Sequence, residues 1–416
     1  LRKRIVITGL GAITALGEGV APLWNAVLEG RSGIGNLGFE NGWKPLGASI
    51  PGFEPEKYIT QKKAIKVMAR DIQLAVAGAS LALEDAGIKN LSMPRDRIGV
   101  IVGSGVLNHE LDELAYSIQS SMGDDGKLDL KKFGEEGISN LFPLWLLKYL
   151  PNMPACHISI LFDLQGPNNT ITTGVSAGIQ AVGEAMRIIE RGAADLMLAG
   201  GAESKINAVG LSQYRVLGTL SDSSAGDPTK VYKPFDADSN GLVIGEGAGF
   251  LVLESLEHAK KRNAKIYAEI VGFGSSSASG LKVAMRAALR ESAVLPEELD
   301  YIQACGLGLA KEDTLEAEAI EGVFNGSGPR LRVSASKPVM GFTGFAAGAI
   351  DLIISTLALK SQTIPPTMNF NKPTRPWGFE IVKGAPTRHK IKNVMTNTCG
   401  LGGQSVSIIT RPYRED

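Results

Sequence analysis

The chain has 416 residues, 44% hydrophobic and 21% charged, enough apolar side chain to fill one large duplicated domain or two ordinary ones. Lysine plus arginine and aspartate plus glutamate each number 43, a formal net charge of zero; the balance offers no basic surface to nucleic acid or to a membrane, and neither is expected as a partner. Cys156, Cys305 and Cys399 contain no C-x-x-C pair and the four histidines lack ligand spacing, so neither a disulfide framework nor a metal is expected, no cofactor is implied, and a reducing cytoplasm fits best.

Taken in chain order, Leu1-Arg-Lys-Arg-Ile-Val-Ile-Thr8 leads straight into a strand without a signal-peptide pattern. Gly9-Leu-Gly11-Ala follows it; the third glycine of a dinucleotide loop is missing, and a tight turn is expected. A helix pattern over Ile72–Ala86 precedes Pro94-Arg-Asp-Arg97 and the strand from Ile98 to Gly105. Val106–Tyr116 is a predicted helix on which Leu107, Leu111 and Leu114 would form one apolar stripe. It opens a segment, Leu107–Met153, expected to be an insertion. Asn169–Thr173 is a predicted strand, followed by a turn, a helix opening at Ser176, and the strand Asp195–Ala199.

The second part repeats this order. A helix pattern over Val283–Ala293 precedes Pro296-Glu-Glu-Leu-Asp300 and the strand from Tyr301 to Gly308; a helix opening at Ala346 precedes the strand Asn393–Thr398. Alternating strands and amphipathic helices imply βαβ units and mainly parallel mixed sheets covered by helices. Two similar α/β halves are expected, residues 1–256 and 257–416. The apolar run Ala349–Leu359 carries Asp351 and reads as too short to span a bilayer.

Gly174-Val-Ser-Ala-Gly178 matches G-x-S-x-G between a strand and a helix and could expose Ser176 as a hydrolase nucleophile. The later histidines, His258 and His389, lie in charged runs and read as solvated surface residues. A hydrolase triad is therefore not expected.

The blocks Arg4–Gly17, Gly166–Ser204, Lys233–Glu254, Ser334–Ile354 and Asn397–Gly403 resemble successive blocks of the β-ketoacyl-[acyl carrier protein] synthases. Pro234-Phe-Asp-Ala-Asp-Ser-Asn-Gly241 and Gly245-Glu-Gly-Ala-Gly249 are the most specific. The resemblance implies a five-layered αβαβα thiolase fold of two duplicated halves, dimerising through the first, with the strand near Asn169–Thr173 pairing across a two-fold axis. Such enzymes use a cysteine at a helix N-terminus, where the helix dipole favours the thiolate, and two histidines that assist decarboxylation and stabilise an enolate. The cysteine position matches Val175, the first histidine Cys305 and the second Phe342. Leu307 and Leu309 replace the pantetheine-contacting threonines, and Leu401 stands at the aromatic gate. Lys337, Asp351, Asp313 and Glu316 match the family's supporting ionic residues and are expected to form a retained structural network.

Because Val175, Leu307, Leu309, Phe342 and Leu401 would converge on the active-site cavity, the resemblance implies no catalytic residue and a protein that is not an enzyme on its own. It points to a chain length factor: a ketosynthase β subunit of a type II polyketide synthase, paired as a heterodimer with an active ketosynthase and meeting acyl carrier protein through the complex. Leu107, Leu111 and Leu114 are the candidates for lining its tunnel and setting polyketide chain length. Two other readings are an enzyme with an atypical nucleophile, Cys305 or Ser176, and a stand-alone acyl- or carrier-protein-binding module.

Overall fold

The computed structural model describes residues 3–39, 43–88, 93–107, 109–221, 226–277, 280–324 and 331–415. The main path of its large sheet consists of β1 (Ile5–Thr14), β2 (Ile98–Gly103), β3 (Asn168–Ile171), β4 (Leu196–Glu203), β5 (Gly247–Ser255), β6 (Ala268–Ser276), β7 (Tyr301–Gln303), β8 (Arg332–Ser334), β9 (Glu380–Ile381), β10 (Val394–Cys399) and β11 (Ser405–Arg411). They join in the order β9-β8-β7-β10-β11-β6-β1-β5-β4-β2-β3.

Reading outward from the antiparallel β1–β6 pair, in which Ile5 faces Ile270, both directions follow one rule. On one side β1 meets β5 and β5 meets β4 antiparallel, then β2 and β3 follow in parallel. On the other, β6 meets β11 and β11 meets β10 antiparallel, then β7 and β8 follow in parallel. The two strand–helix pairs matched in the sequence thus occupy equivalent places in a duplicated mixed sheet. Parallel pairing is confined to the outer strands; the centre is antiparallel.

The helices that matter for the site are α1 (Arg70–Asp85), α2 (Leu111–Ser120), α3 (Ala177–Glu190), α4 (Leu281–Ser292), α5 (Ala310–Phe324) and α6 (Ala347–Ser361). Helices α3 and α6 pack against each other and against strands of both halves. Ile179, Val182, Met186, Ile350, Ile353 and Ile354 join Leu251, Leu253, Val394 and Ile408 in the central core. Helix α1 covers the opposite face of the first half, and α4 with α5 that of the second. Helix, sheet, paired helices, sheet, helix gives five layers. The approach is close: a Cβ at Gly103 would overlap the backbone of Ala177 and Gly178, so β2 can meet the start of α3 only as glycine.

Three expectations change here. Gly9-Leu-Gly11-Ala is not a turn but the middle of β1, with a bulge between Ile7 and Gly9. The apolar segment extends over Gly344–Ser361, 18 residues of mean hydropathy 1.4, long and apolar enough to cross a membrane, yet 78% of it is buried inside the fold. Asp351 is tolerated within it because Lys337 pairs with it. The predicted helix over Val106–Tyr116 begins only at Leu111, because Glu110 is extended with ψ 136°. Leu107 lies before it, buried in the core under α1, whereas Leu111 is 53% exposed. No single Leu107–Leu111–Leu114 stripe forms. Leu111 instead lines a surface cavity of about 870 Å³ with Trp43, Val209, Val216 and Leu217.

Candidate functional site

The turn Gly174–Ser176 leads into α3 and carries the position that the resemblance assigns to the nucleophile. Gly174 has φ +64°, a left-handed conformation that sets the following residue into the space between the halves. That residue, Val175, packs in one cluster with Cys305, Leu307, Phe342 and Ala347. Leu309 and Cys399 are partly buried against the same cluster. Four of the five expected side chains therefore converge. Leu401 does not join them and is 41% exposed on the turn after β10.

Ser176 is buried, and its hydroxyl donates to the Thr173 carbonyl 2.9 Å away. The elbow therefore closes on itself instead of presenting a nucleophile. His258 is not the solvated residue expected from its charged run: Nδ1 lies 2.6 Å from Glu254 Oε2, beside Arg262. Both departures follow from local neighbours: Thr173 lies three residues before Ser176, and Glu254 and Arg262 each lie four residues from His258. Phe342 is held by its N–H to the Val243 carbonyl at 2.7 Å, and its ring meets Tyr214 edge-on with centroids 6.2 Å apart.

The polar side of the site is a buried network. Lys337 donates to Asp351 Oδ2 at 2.7 Å and to the Cys305 carbonyl. Asp351 Oδ1 also accepts from Ser336 at 2.9 Å and Gln303 at 3.1 Å. Asp313 accepts from the N–H of Phe235 at 2.7 Å and of Gly308. Glu316 accepts from the N–H groups of Cys305 and Gly306, each at 2.9 Å. Lys337, Asp351, Asp313 and Glu316 thus brace the strand-end loop 305–308 against α5 and α6. Burial pushes Asp313 and Glu316 each up to about 7, against the N–H groups that bond them. Lys337 goes the other way: burial opposes its charge, but Asp351 and its other neighbours raise it overall.

Sequence spacing hid one grouping. The Cys305 and Cys399 sulfurs and a Glu316 carboxylate oxygen all lie within 4.8 Å of one another. Cys305 directs its S–H at the Cys399 carbonyl, 3.6 Å away and 94 positions along the chain. The hydrogen bond with Cys305, then burial, pushes the Cys399 thiol well up. The available signal was one cysteine inside the expected strand Tyr301–Gly308 and another just past the expected strand Asn393–Thr398; the corresponding β7 and β10 are neighbours in the sheet.

Residues 2–259 match the family model of the β-ketoacyl synthase N-terminal domain, and residues 267–371 that of its C-terminal domain. The chain belongs to the β-ketoacyl synthase family of the thiolase superfamily, with the thiolase fold. It is 35% identical to the 3-oxoacyl-[acyl-carrier-protein] synthase 2 of Coxiella burnetii, over 98% of both chains. The protein of the same name from Vibrio cholerae is 34% identical over 98% of this chain and 99% of its own. A β-ketoacyl synthase structure from Burkholderia phymatum superposes with a TM-score of 0.87 at 30% identity, covering 99% of this chain and 100% of that one. The ishigamide ketosynthase/chain length factor superposes at 0.83 with 28% identity, each chain covered fully.

These relatives overturn the expectation of a chain length factor that is no enzyme on its own. Curated proteins that match end to end are named as synthases, while the ketosynthase/chain length factor is a more distant structural neighbour. The heterodimer with an active ketosynthase is set aside with that reading. The expectation weighed the apolar replacements at Val175 and Phe342 and missed the thiol pair and carboxylate that the fold assembles beside them.

Proposed function

We propose that this chain is an acyl-carrier-protein-dependent synthase of the 3-oxoacyl type in which the acyl-accepting thiol is Cys305. The observation that carries the reading is the end-to-end similarity to proteins named 3-oxoacyl-[acyl-carrier-protein] synthase 2, combined with a cysteine in the same buried cluster as Val175. A valine hydrocarbon cannot form a thioester. The Cys305 sulfur can, and it sits where strand β7 gives way to a loop braced by Glu316 and Lys337.

The acyl-transfer step balances without a further reagent. The Cys305 sulfur forms a bond to the acyl carbon, the bond from that carbon to the carrier's sulfur breaks, and the proton of Cys305 leaves on the carrier thiol. Cys305 is fully buried, so the proposal requires the turn 400–403, whose Leu401 faces solvent, to open and admit the chain. Fixed neighbours hold the thiol in one place, and such positioning is a large share of what an active site contributes. Phe342 supplies no donor for an enolate, so the geometry supports acyl transfer directly, and condensation is the stricter requirement.

The test is to incubate the purified chain with acyl- and malonyl-carrier protein and separate the carrier-bound products by mass spectrometry. The proposal expects acylated protein, and a 3-oxoacyl product where condensation follows, both abolished by Cys305→Ser. Absence of both product and acylated protein, under conditions where a related synthase is active, would sink it.

A further inference from the structure

We propose that Cys305, Cys399 and Glu316 form a site for one soft divalent metal ion, of which zinc is the type. The donors come from three elements: the loop after β7, the end of β10, and α5. Their ligating atoms already lie within 4.8 Å of one another. A tetrahedral ion with sulfur ligands at about 2.3 Å and a carboxylate oxygen at about 2.0–2.2 Å needs those atoms roughly 3.5–4 Å apart. Small side-chain rotations close that gap.

Donor chemistry selects the ion. Two sulfurs with one oxygen suit zinc and other thiophilic metals, whereas magnesium and calcium require oxygen ligands. The carboxylate is also oriented in advance: the N–H groups of Cys305 and Gly306 hold its two oxygens, each at 2.9 Å. Ligating carboxylates are commonly fixed by such outer hydrogen bonds.

Glu316 and Asp351 are buried here with Lys337, whose ammonium is 2.7 Å from Asp351. Two thiolates would add two negative charges, and a dication offsets them. The ion has a way in, because Cys399 is only partly buried and borders the turn that carries exposed Leu401. Three protein ligands leave a fourth position open. This site goes beyond acyl transfer. An ion bound to Cys305 occupies the sulfur that would accept the acyl chain, so the two states exclude each other.

The experiment uses the full chain in reducing buffer, with Co(II) as spectroscopic probe and Zn(II) as competitor. One Co(II) per chain is expected, with a sulfur-to-cobalt charge-transfer band and tetrahedral visible bands that stoichiometric Zn(II) removes. Native mass spectrometry should show one zinc gained and protons lost from both thiols. Cys156→Ser should leave the spectrum unchanged. Cys305→Ser and Cys399→Ser should each roughly halve the charge-transfer band and weaken binding by more than about tenfold. If either variant fails to fold, zinc X-ray absorption on the wild-type chain should show two sulfur neighbours. No thiolate band in the wild type, a band unaffected by Cys305→Ser or Cys399→Ser, or an absorption spectrum without sulfur ligation would overturn the proposal. None of these readouts uses an acyl substrate, so their failure leaves the acyl-transfer reading standing.

Discussion

The Lys337 ammonium lies 2.7 Å from the Asp351 carboxylate, with both side chains withdrawn from water, and the same ammonium holds the Cys305 carbonyl. One buried charge pair thus ties helix α6 to the loop bearing the proposed nucleophile. Removing one member strands the other in a low-dielectric interior, which costs about 3–5 kcal/mol. Lys337→Met and Asp351→Asn should each lower unfolding stability by that amount in urea titrations. The double variant should cost less than the sum by more than about 1 kcal/mol. Strict additivity would show that the pair is not coupled.

Glu203 and Asp71 make stability depend on pH. Burial pushes Glu203 up to about 7 and Asp71 up to about 6, although Lys205 favours the charged form of both. Glu203 also accepts the N–H of Phe345, and Asp71 that of Ser204. Glu246, paired with Arg70, lies alongside. A carboxyl whose folded value is raised binds more protons folded than unfolded. Its contribution is therefore complete below about pH 4 and is lost as pH rises through 6 to 7, with a slope of at most ~1.4 kcal/mol per pH unit per group. Glu203→Gln should flatten the dependence of the urea midpoint between pH 5 and 7. An equally steep profile in that variant would remove Glu203 as its source.

Leu107 and Leu111 should behave differently, although the sequence places them on one predicted face. Leu107 is buried among side chains of the α1 core, and Leu107→Ala should cost about 2–5 kcal/mol. Leu111 is more than half exposed, and Leu111→Ala should stay within about 0.5 kcal/mol. Thermal unfolding of the two variants decides, and equal losses would mean that the stripe exists after all.

Ser176 should be dispensable for chemistry. Its hydroxyl is spent on the Thr173 carbonyl, so Ser176→Ala should lose only about 0.5–1.5 kcal/mol of stability. Acylation by carrier-bound substrate should persist in that variant. An acyl adduct mapped to Ser176 in the wild type would restore the elbow as a nucleophile.

Much of this architecture was legible because strands and helices announce themselves by periodicity and because the duplication repeats their order. The equivalence of β2 with β7 and of β4 with β10 follows from matched strand–helix pairs. The convergence of Val175, Leu307 and Phe342 also followed, since residue-by-residue resemblance carries positions. What it could not carry was proximity across long separations. Cys305 and Cys399 meet because parallel β7 and β10 are neighbours, a fact of strand order that spacing along the chain does not express. Leu107 was misplaced for a related reason: leucines at helical spacing describe a helix only if the backbone is helical through all of them, and it turns helical only after Glu110.

The most direct test of the central claim is the location of the acyl group. The intact chain would be incubated with acyl-carrier protein, digested, and the modified peptide sequenced by mass spectrometry. The account predicts a thioester on Cys305, abolished by Cys305→Ser and retained in Cys156→Ser and Ser176→Ala. Unmodified protein, or an adduct on any residue other than Cys305, would contradict it.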